Sequence, residues 1–168
     1  MLAEDPKNLL ATQSLANLYY QMKNWDKAVE WNKKVVELDP NNKDAYYSIG
    51  VIAWTQFITP VREARQSLKM KPEDPGPIKD PKVKEELAAK YKPSLDAGLD
   101  AVKKALAIDP EYENAMAYMN LLIRYRADLD PDKATYEADV KEADMWVQKS
   151  LETMKIKAAR KAANPNAK

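Results

Sequence analysis

Apolar residues recur along this chain at intervals of three and four positions. Two early runs, residues 15–22 and 28–36, each place their apolar side chains on one face of an α-helix. The composition supports helix throughout, because Ala, Lys, Glu and Leu are abundant, Gly occurs only 3 times, and the abundant side chains lose little rotamer freedom in a helix. The pattern therefore predicts an all-α chain and gives strands almost no support.

The helical pattern is also repeated. Residues 33–40 and 103–110 share two lysines, a set of apolar positions and a closing Asp-Pro pair, and Asp5-Pro6 stands 34 residues before Asp39-Pro40. Proline lacks an amide proton and disfavours helical geometry in the residue before it, so it suits the joint between two helices. Each unit is therefore predicted to be an antiparallel pair of helices.

The period and the residue types of the first unit, about residues 9–42, resemble those of the tetratricopeptide repeat. Its apolar, small and aromatic positions and its closing proline match the family pattern: Leu15, Ala16, Tyr19, Ala28 and Pro40. Thr12 stands where the family usually has Trp, and Asn32 stands where it usually has a large aromatic residue. The resemblance implies a right-handed superhelix of α-helical hairpins.

Two further units complete the predicted array, namely residues 43–57 with 93–112, and residues 113–158. Gly50 is in register in the second unit, whereas Asn120 stands at a small-residue position of the third. Together with the first unit they predict a single domain, residues 1–158. A flexible basic tail, residues 159–168, is expected to follow it.

An insert, residues 58–92, separates the two helices of the second unit. Thr59-Pro60 predicts the N-cap and first residue of a new short helix. A further helix restarts at Asp80-Pro81, and its apolar stripe continues past Pro93, which predicts either one helix kinked at Pro93 or two helices that meet there. We expect the insert to fold over an edge of the array and to narrow its groove.

Composition removes several classes of chemistry. The chain has no Cys and no His, so disulfides, thiol nucleophiles, Ser-His-Asp arrangements and the usual zinc and copper ligands are excluded. Its 27 basic and 26 acidic residues leave a formal charge of +1, which disfavours nucleic-acid binding. No cofactor and no metal ion are expected. No stretch has the length of apolar sequence that a membrane span requires.

The resemblance also implies a set of groove residues, because the first helices of stacked repeats line a concave surface that commonly holds a peptide. Transferred position by position, the groove is rich in aromatic and amide side chains: Gln13, Asn17, Tyr20, Tyr47, Trp54, Tyr118, Leu121, Arg124 and Tyr125. The alternative is that these side chains only pack helices or face solvent. Of the positions with which some family members grip a chain-terminal carboxylate, only Asn17 fits, and Arg124 is left to meet an acidic group of a partner.

Neighbouring acids are the remaining candidates for catalysis. Three groups stand close in sequence: Glu85 with Glu86, Asp128 with Asp130 and Asp132, and Asp139 with Glu142. Paired acids perform general acid and base chemistry when burial separates their pKa values. We expect these acids instead to be solvated or salt-bridged, because they lie in predicted turns or on highly charged helical faces.

The resemblance implies a non-catalytic protein-protein interaction module that binds a peptide or helical segment of a partner. The alternative is a structural scaffold or a self-assembling repeat segment of a larger protein, and a carboxylate-based enzyme is the third interpretation. The expected partner is a protein or peptide of unknown identity, not a nucleic acid, and homo-oligomers are left open. The lack of Cys slightly favours the cytoplasm but leaves an exported bacterial protein open.

Overall fold

The computed structural model describes residues 8–71, 74 and 76–164, and that part of the chain contains no strand. Its elements are α1 (Leu9–Gln21), α2 (Trp25–Leu38), α3 (Lys43–Ser67), α4 (Pro81–Ile108), α5 (Glu113–Arg126), a 3-10 turn (Ala127–Leu129) and α6 (Lys133–Ala163). The predicted all-α helical-repeat fold is confirmed. Asp5-Pro6 lies outside the described residues. None of the helices in the described ranges combines the length and the apolar character that crossing a bilayer requires.

The helix starts follow from short polar side chains. Asn8, Asn24 and Asn42 each accept a hydrogen bond from the backbone N–H three residues later, and Asp80 and Asp132 do the same for α4 and α6. Such a side chain satisfies one of the free N–H groups in the first helical turn. The helix boundaries are therefore encoded locally.

The two Asp-Pro joints have the same structure. Asp39 accepts a hydrogen bond from the backbone N–H of Asn41, and Asp109 accepts one from that of Glu111. Each side chain thus closes a turn after its helix has ended. The sequence repeat is therefore also a structural repeat. Lys43 Nζ, 2.6 Å from Asp109 Oδ2, links the start of α3 to the second joint.

The helices pack in chain order. Within pairs, α1 packs on α2, α3 on α4 and α5 on α6, while α2 contacts α3, α4 contacts α5, and α3 also contacts α5. The largest buried side chains lie at these contacts, with Phe57 on α3, Leu95 on α4 and Leu122 on α5 among them. Since α3 and α5 lie side by side as the first helices of their pairs, their outward faces form one surface.

The prediction that Thr59-Pro60 begins a new helix is wrong. α3 continues without a break through Pro60 to Ser67. Pro60 removes one backbone hydrogen bond, but Phe57, Ile58 and Val61 are all buried, and Phe57 contacts Tyr91 of α4. Burial of three large apolar side chains outweighs one missing hydrogen bond. The first part of the insert is therefore an extension of α3.

The second part of the insert extends α4, which is a single helix through Pro93. Both Pro93 and Ala89, the residue whose carbonyl the proline leaves unpaired, are exposed, so water can satisfy that carbonyl. Between the extensions, Met70 and Ile78 are buried and fasten the connecting chain. The Ile78 N–H donates to the backbone carbonyl of Asp128 at 2.9 Å.

The last helix is longer than the sequence pattern predicted. We expected the third unit to end at residue 158 and a flexible tail to begin at residue 159, but α6 runs to Ala163. Its final turns are held by ion pairs, because Lys157 contacts Glu113 and Arg160 contacts Glu111. Residues 159–163 thus belong to the helix, and residues 165–168 lie outside the described part. The other predicted domain limits stay predictions.

Candidate functional site

Four of the predicted groove residues form a continuous aromatic line on α3 and α5. The ring centroids of Tyr47 and Tyr118 are 5.2 Å apart, those of Tyr118 and Trp54 are 5.8 Å apart, and those of Trp54 and Tyr125 are 6.2 Å apart. Each pair meets edge to face, the arrangement in which the positive ring edge meets the negative ring face. All four side chains are half-buried. We call these four residues the aromatic line.

Three more predicted residues, on α1, lie beside one end of this line. Asn17 and Tyr20 join Tyr47 and Tyr118 around a cavity of about 350 Å³. Gln13 and Asn17 also border a smaller neighbouring cavity of about 150 Å³ with residues of α3. The α1 amides and the aromatic line therefore share one concave surface.

The last two predicted residues are Leu121 and Arg124, and only Arg124 borders a cavity. Arg124 borders a third cavity, of about 710 Å³, together with Tyr125 of the aromatic line. It donates to Asn120 Oδ1 and forms an ion pair with Asp144 on α6. Leu121 is partly buried on α5 and is not among the residues that line these three cavities. Seven of the nine predicted side chains therefore line one of these three cavities. Trp54 lines none of them, but it contacts Tyr118 and Tyr125, which line two of them.

Sequence reasoning missed several residues of this surface. Tyr112 meets Tyr47 with ring centroids 5.3 Å apart and donates its hydroxyl to Asp44 at 2.8 Å. The repeat alignment gave no signal, because the position equivalent to Tyr112 in the first joint is Asn42. Arg62 and Lys69, which border the third cavity, were missed because Pro60 was predicted to break the helix. A continuous helical register through Pro60 would have revealed Arg62.

Burial controls the chemistry of the tyrosine hydroxyls. It raises the pKa of Tyr47 to about 12, and it raises the pKa of Tyr118 and of Tyr112 as well. These hydroxyls are therefore neutral near pH 7 and act as hydrogen-bond donors and acceptors. The Trp54 indole N–H is buried and has no hydrogen-bond partner among the described residues. The centre of the aromatic line therefore holds an unused donor. An unmade buried hydrogen bond costs about 1–3 kcal/mol.

The acids only partly follow the expectation that they are solvated or salt-bridged. Asp128 is buried and pairs with Arg65, and Asp139 pairs with Arg126. Asp130 departs from it, because its Oδ2 is buried without a hydrogen-bond partner in the described chain. Burial raises the pKa of both Asp128 and Asp130 to about 6, and the Arg65 guanidinium opposes this rise at Asp128. In the described ranges, no three potential His, Cys, Asp or Glu ligands are grouped to hold a metal ion.

These two raised pKa values predict how stability depends on pH. Folded Asp128 and Asp130 hold a proton up to about pH 6, whereas an unfolded Asp releases it near 3.8. Because the folded state binds more protons in this interval, the free energy of unfolding should fall as pH rises from about 5 to about 7. Acids with a lowered pKa, such as Asp109, titrate below that pH range and add little to the slope within it. Urea unfolding at several pH values measures the slope.

Asp130→Asn supplies the control for this pH dependence. Removing one of the two titrating groups should make the slope between about pH 5 and 7 shallower, since only Asp128 then contributes. A slope identical to that of the unsubstituted protein would contradict the assignment to Asp130.

Helix pairs packed in chain order, with the first helices of successive pairs sharing a concave face, define a helical-repeat protein. A family model described as TPR repeat matches residues 16–56, from the middle of α1 into α3. Residues 16–56 therefore carry the tetratricopeptide-repeat pattern, which confirms the resemblance found in the sequence for this part of the chain. Repeats of this kind generally mediate protein interactions or act as scaffolds.

Solved structures similar to the chain include two described as MamA. The first, described as the crystal structure of MamA, is 20% identical, with a TM-score of 0.33, and covers 94% of this chain and 85% of its own. The second, described as the crystal structure of MamA protein, is also 20% identical, with a TM-score of 0.33, and covers 99% of this chain and 82% of its own. A search among curated proteins found no match.

Proposed function

We propose that this protein is a non-catalytic interaction module that binds a peptide or helical segment of a partner protein along α1, α3 and α5. The observation that carries the proposal is the aromatic line, in which Tyr47, Tyr118, Trp54 and Tyr125 succeed one another at centroid distances of 5.2–6.2 Å. Half-buried aromatic rings held by one another present a large contact area that loses little conformational freedom when a ligand binds.

The polar groups around the line suit a polypeptide ligand. The neutral hydroxyls of Tyr47 and Tyr118 and the amides of Gln13 and Asn17 are donors and acceptors of the kind that a peptide backbone needs. Aromatic side chains supply the energy of such interfaces, and the adjoining polar groups supply orientation. A partner segment with apolar side chains and an accessible backbone fits this combination.

The same geometry supports interaction over catalysis. Asp128, one of the two acids with a pKa near 6, is engaged by Arg65, which also binds three backbone carbonyls. Perturbed pKa values also arise in structural ion pairs, which accounts for Asp128. Asp130 follows the 3-10 turn as its C-cap and forms no ion pair among the described residues.

A library of random 12-residue peptides displayed on phage tests the proposal. Peptides should be enriched on the unsubstituted protein, and their Kd should rise about tenfold or more on Trp54→Ala or Tyr118→Ala, since loss of a central aromatic contact costs about 2 kcal/mol. Fluorescence polarisation with the enriched peptides gives the Kd.

Trp31→Ala is the matched control, because Trp31 is also half-buried but lies on α2 against Tyr19, outside the groove. Circular dichroism verifies that all three variants fold. Equal binding to folded Trp54→Ala, Tyr118→Ala and the unsubstituted protein would contradict the proposed groove.

The alternative, a scaffold or self-assembling segment, rests on a different observation. The outer helices and their ends expose apolar side chains, among them Leu10 on α1, Met22 directly after α1 and Met145 on α6, each more than 60% exposed. Apolar end faces of repeat arrays favour packing against another repeat. Light scattering over a concentration series, recorded beside the peptide experiment, distinguishes a constant mass near 19.1 kDa from self-association.

A further inference from the structure

The third cavity, of about 710 Å³, lies where the extension of α3 faces the end of α5 and the beginning of α6. Tyr125 belongs both to its lining and to the aromatic line, so the cavity continues the proposed groove. The part contributed by α3 and the chain after it comes from the insert. The cavity is therefore a feature of this chain and not of the regular repeat.

The lining of this cavity is strongly basic. Its cationic side chains come from α3, the following chain and α5: Arg62, Arg65, Lys69, Lys71 and Arg124. Asp128 is the one acid among the described residues of the lining, and Arg65 already pairs with it. In a protein whose formal charge is only +1, this concentration of one sign is a local property of the cavity.

The cations differ in how far the fold already uses them. Arg65 is committed, because it binds Asp128 and the backbone carbonyls of Lys71, Asp74 and Gly76. Arg124 is partly committed through Asp144, whose side chain is 64% exposed.

Arg62 and Lys69, in contrast, are exposed and remain available to a ligand. The one side-chain hydrogen bond of Arg62 within the described residues goes to the Tyr125 hydroxyl at 3.3 Å, and the Lys69 ammonium has no ion pair there.

The backbone that carries Lys69 is held on both sides. The Lys69 N–H donates to the carbonyl of Gln66, and the next residue, Met70, is buried and donates its N–H to the carbonyl of Arg65. Lys69 itself adopts φ 54°, a left-handed conformation that commonly ends a helix but is uncommon outside Gly and Asn. The committed Arg65 thus fixes the chain that presents the uncommitted Lys69.

We propose that this cavity binds an acidic side chain of the partner segment, with Arg62 and Lys69 as the principal contacts. A carboxylate can accept hydrogen bonds from the guanidinium and the ammonium together, and such charge-assisted bonds are stronger than neutral ones. A nucleic acid would need a longer basic surface than one cavity beside an aromatic groove. The inference rests on the proposed function, since it names the chemistry of the segment that the groove takes up.

The same phage library tests the inference when it is selected in parallel on variants of the cavity. Peptides enriched on the unsubstituted protein should contain an excess of Asp and Glu, and this excess should disappear on Arg62→Gln/Lys69→Gln. For an acidic peptide from the selection, Kd should rise about tenfold on the double variant at low salt, and the difference should shrink at high salt. A synthetic copy with Asn and Gln in place of Asp and Glu should bind both proteins equally.

Lys33→Gln/Lys103→Gln is the matched control, because it removes the same charge from exposed positions on α2 and α4 that do not line the cavity. It should keep the acidic excess. Two outcomes would overturn the inference without contradicting the proposed groove. In the first, the enriched peptides have no excess of Asp and Glu. In the second, the excess is the same on Arg62→Gln/Lys69→Gln. Acidic peptides that depend on Arg62 and Lys69 but bind Tyr118→Ala normally would support the cavity and contradict the groove. No enrichment on any folded protein overturns both.

Discussion

Arg65→Ala is expected to lower the free energy of unfolding by about 3–5 kcal/mol, the usual cost of removing one partner of a buried ion pair. The Arg65 side chain is 11% exposed and the Asp128 side chain 7%. Without the guanidinium, Asp128 must either keep an unpaired buried charge or take up a proton. The three carbonyls that Arg65 binds between Lys71 and Gly76 also lose their donor. Urea denaturation measures the change.

Two further variants separate the ion pair from a general effect of charge. Arg65→Met/Asp128→Leu should recover much of the lost stability, because apolar replacement of both partners leaves no buried charge. Lys103→Ala, an exposed substitution on α4, should change stability by less than about 0.5 kcal/mol. A loss under 1 kcal/mol for Arg65→Ala would show that the pair contributes little to stability.

Gly98→Ala is expected to destabilise the protein by about 1–3 kcal/mol, although Ala is the better helix former by about 1 kcal/mol. A Cβ at Gly98 would lie 2.7 Å from the Ala53 Cβ and 3.4 Å from the Gly50 Cα. Ala53 has no rotatable side chain, so relief requires α3 and α4 to move apart. Those two helices carry much of the buried core, including Phe57 and Leu95. Thermal and urea unfolding detect the change.

A compensating substitution at Ala53 provides the control for this contact. Gly98→Ala/Ala53→Gly moves the methyl group from one helix to the other and should restore most of the stability lost in Gly98→Ala. A Gly98→Ala protein that is more stable than the parent would show that α3 and α4 separate easily and that their close approach does not stabilise the fold.

The close approach of α3 and α4 shows how far local pattern carries. Gly98 stands at the position where the repeat alignment has Ala28 in the first unit, and Gly50 is in register in the second. Small residues at these places allow two backbones to approach, and the structure places Gly50 against Gly98. The Asp39 and Asp109 turns were likewise predictable, because their hydrogen bonds span two residues.

In the candidate site too, the sequence predicted some residues and gave no signal for others. Repeat register placed Tyr47 and Tyr118 on one face each, and the structure brings those faces together. The repeat register contained no information on Tyr112, because its neighbours Tyr47 and Asp44 lie on α3. Binding by these residues is a prediction that the peptide experiment tests.

The sequence by itself determined the helical class, the paired units, the Asp-Pro joints and the faces on which the aromatic residues lie. These properties depend on side-chain spacing within a helix and on hydrogen bonds that span a few residues. Only the tertiary structure decided that α3 passes through Pro60, because Phe57 and Val61 bury their side chains against another helix. It also decided the basic cavity, whose central ion pair joins Arg65 to Asp128, 63 positions away. Contacts of that separation depend on how complete helices pack, and no local pattern specifies them.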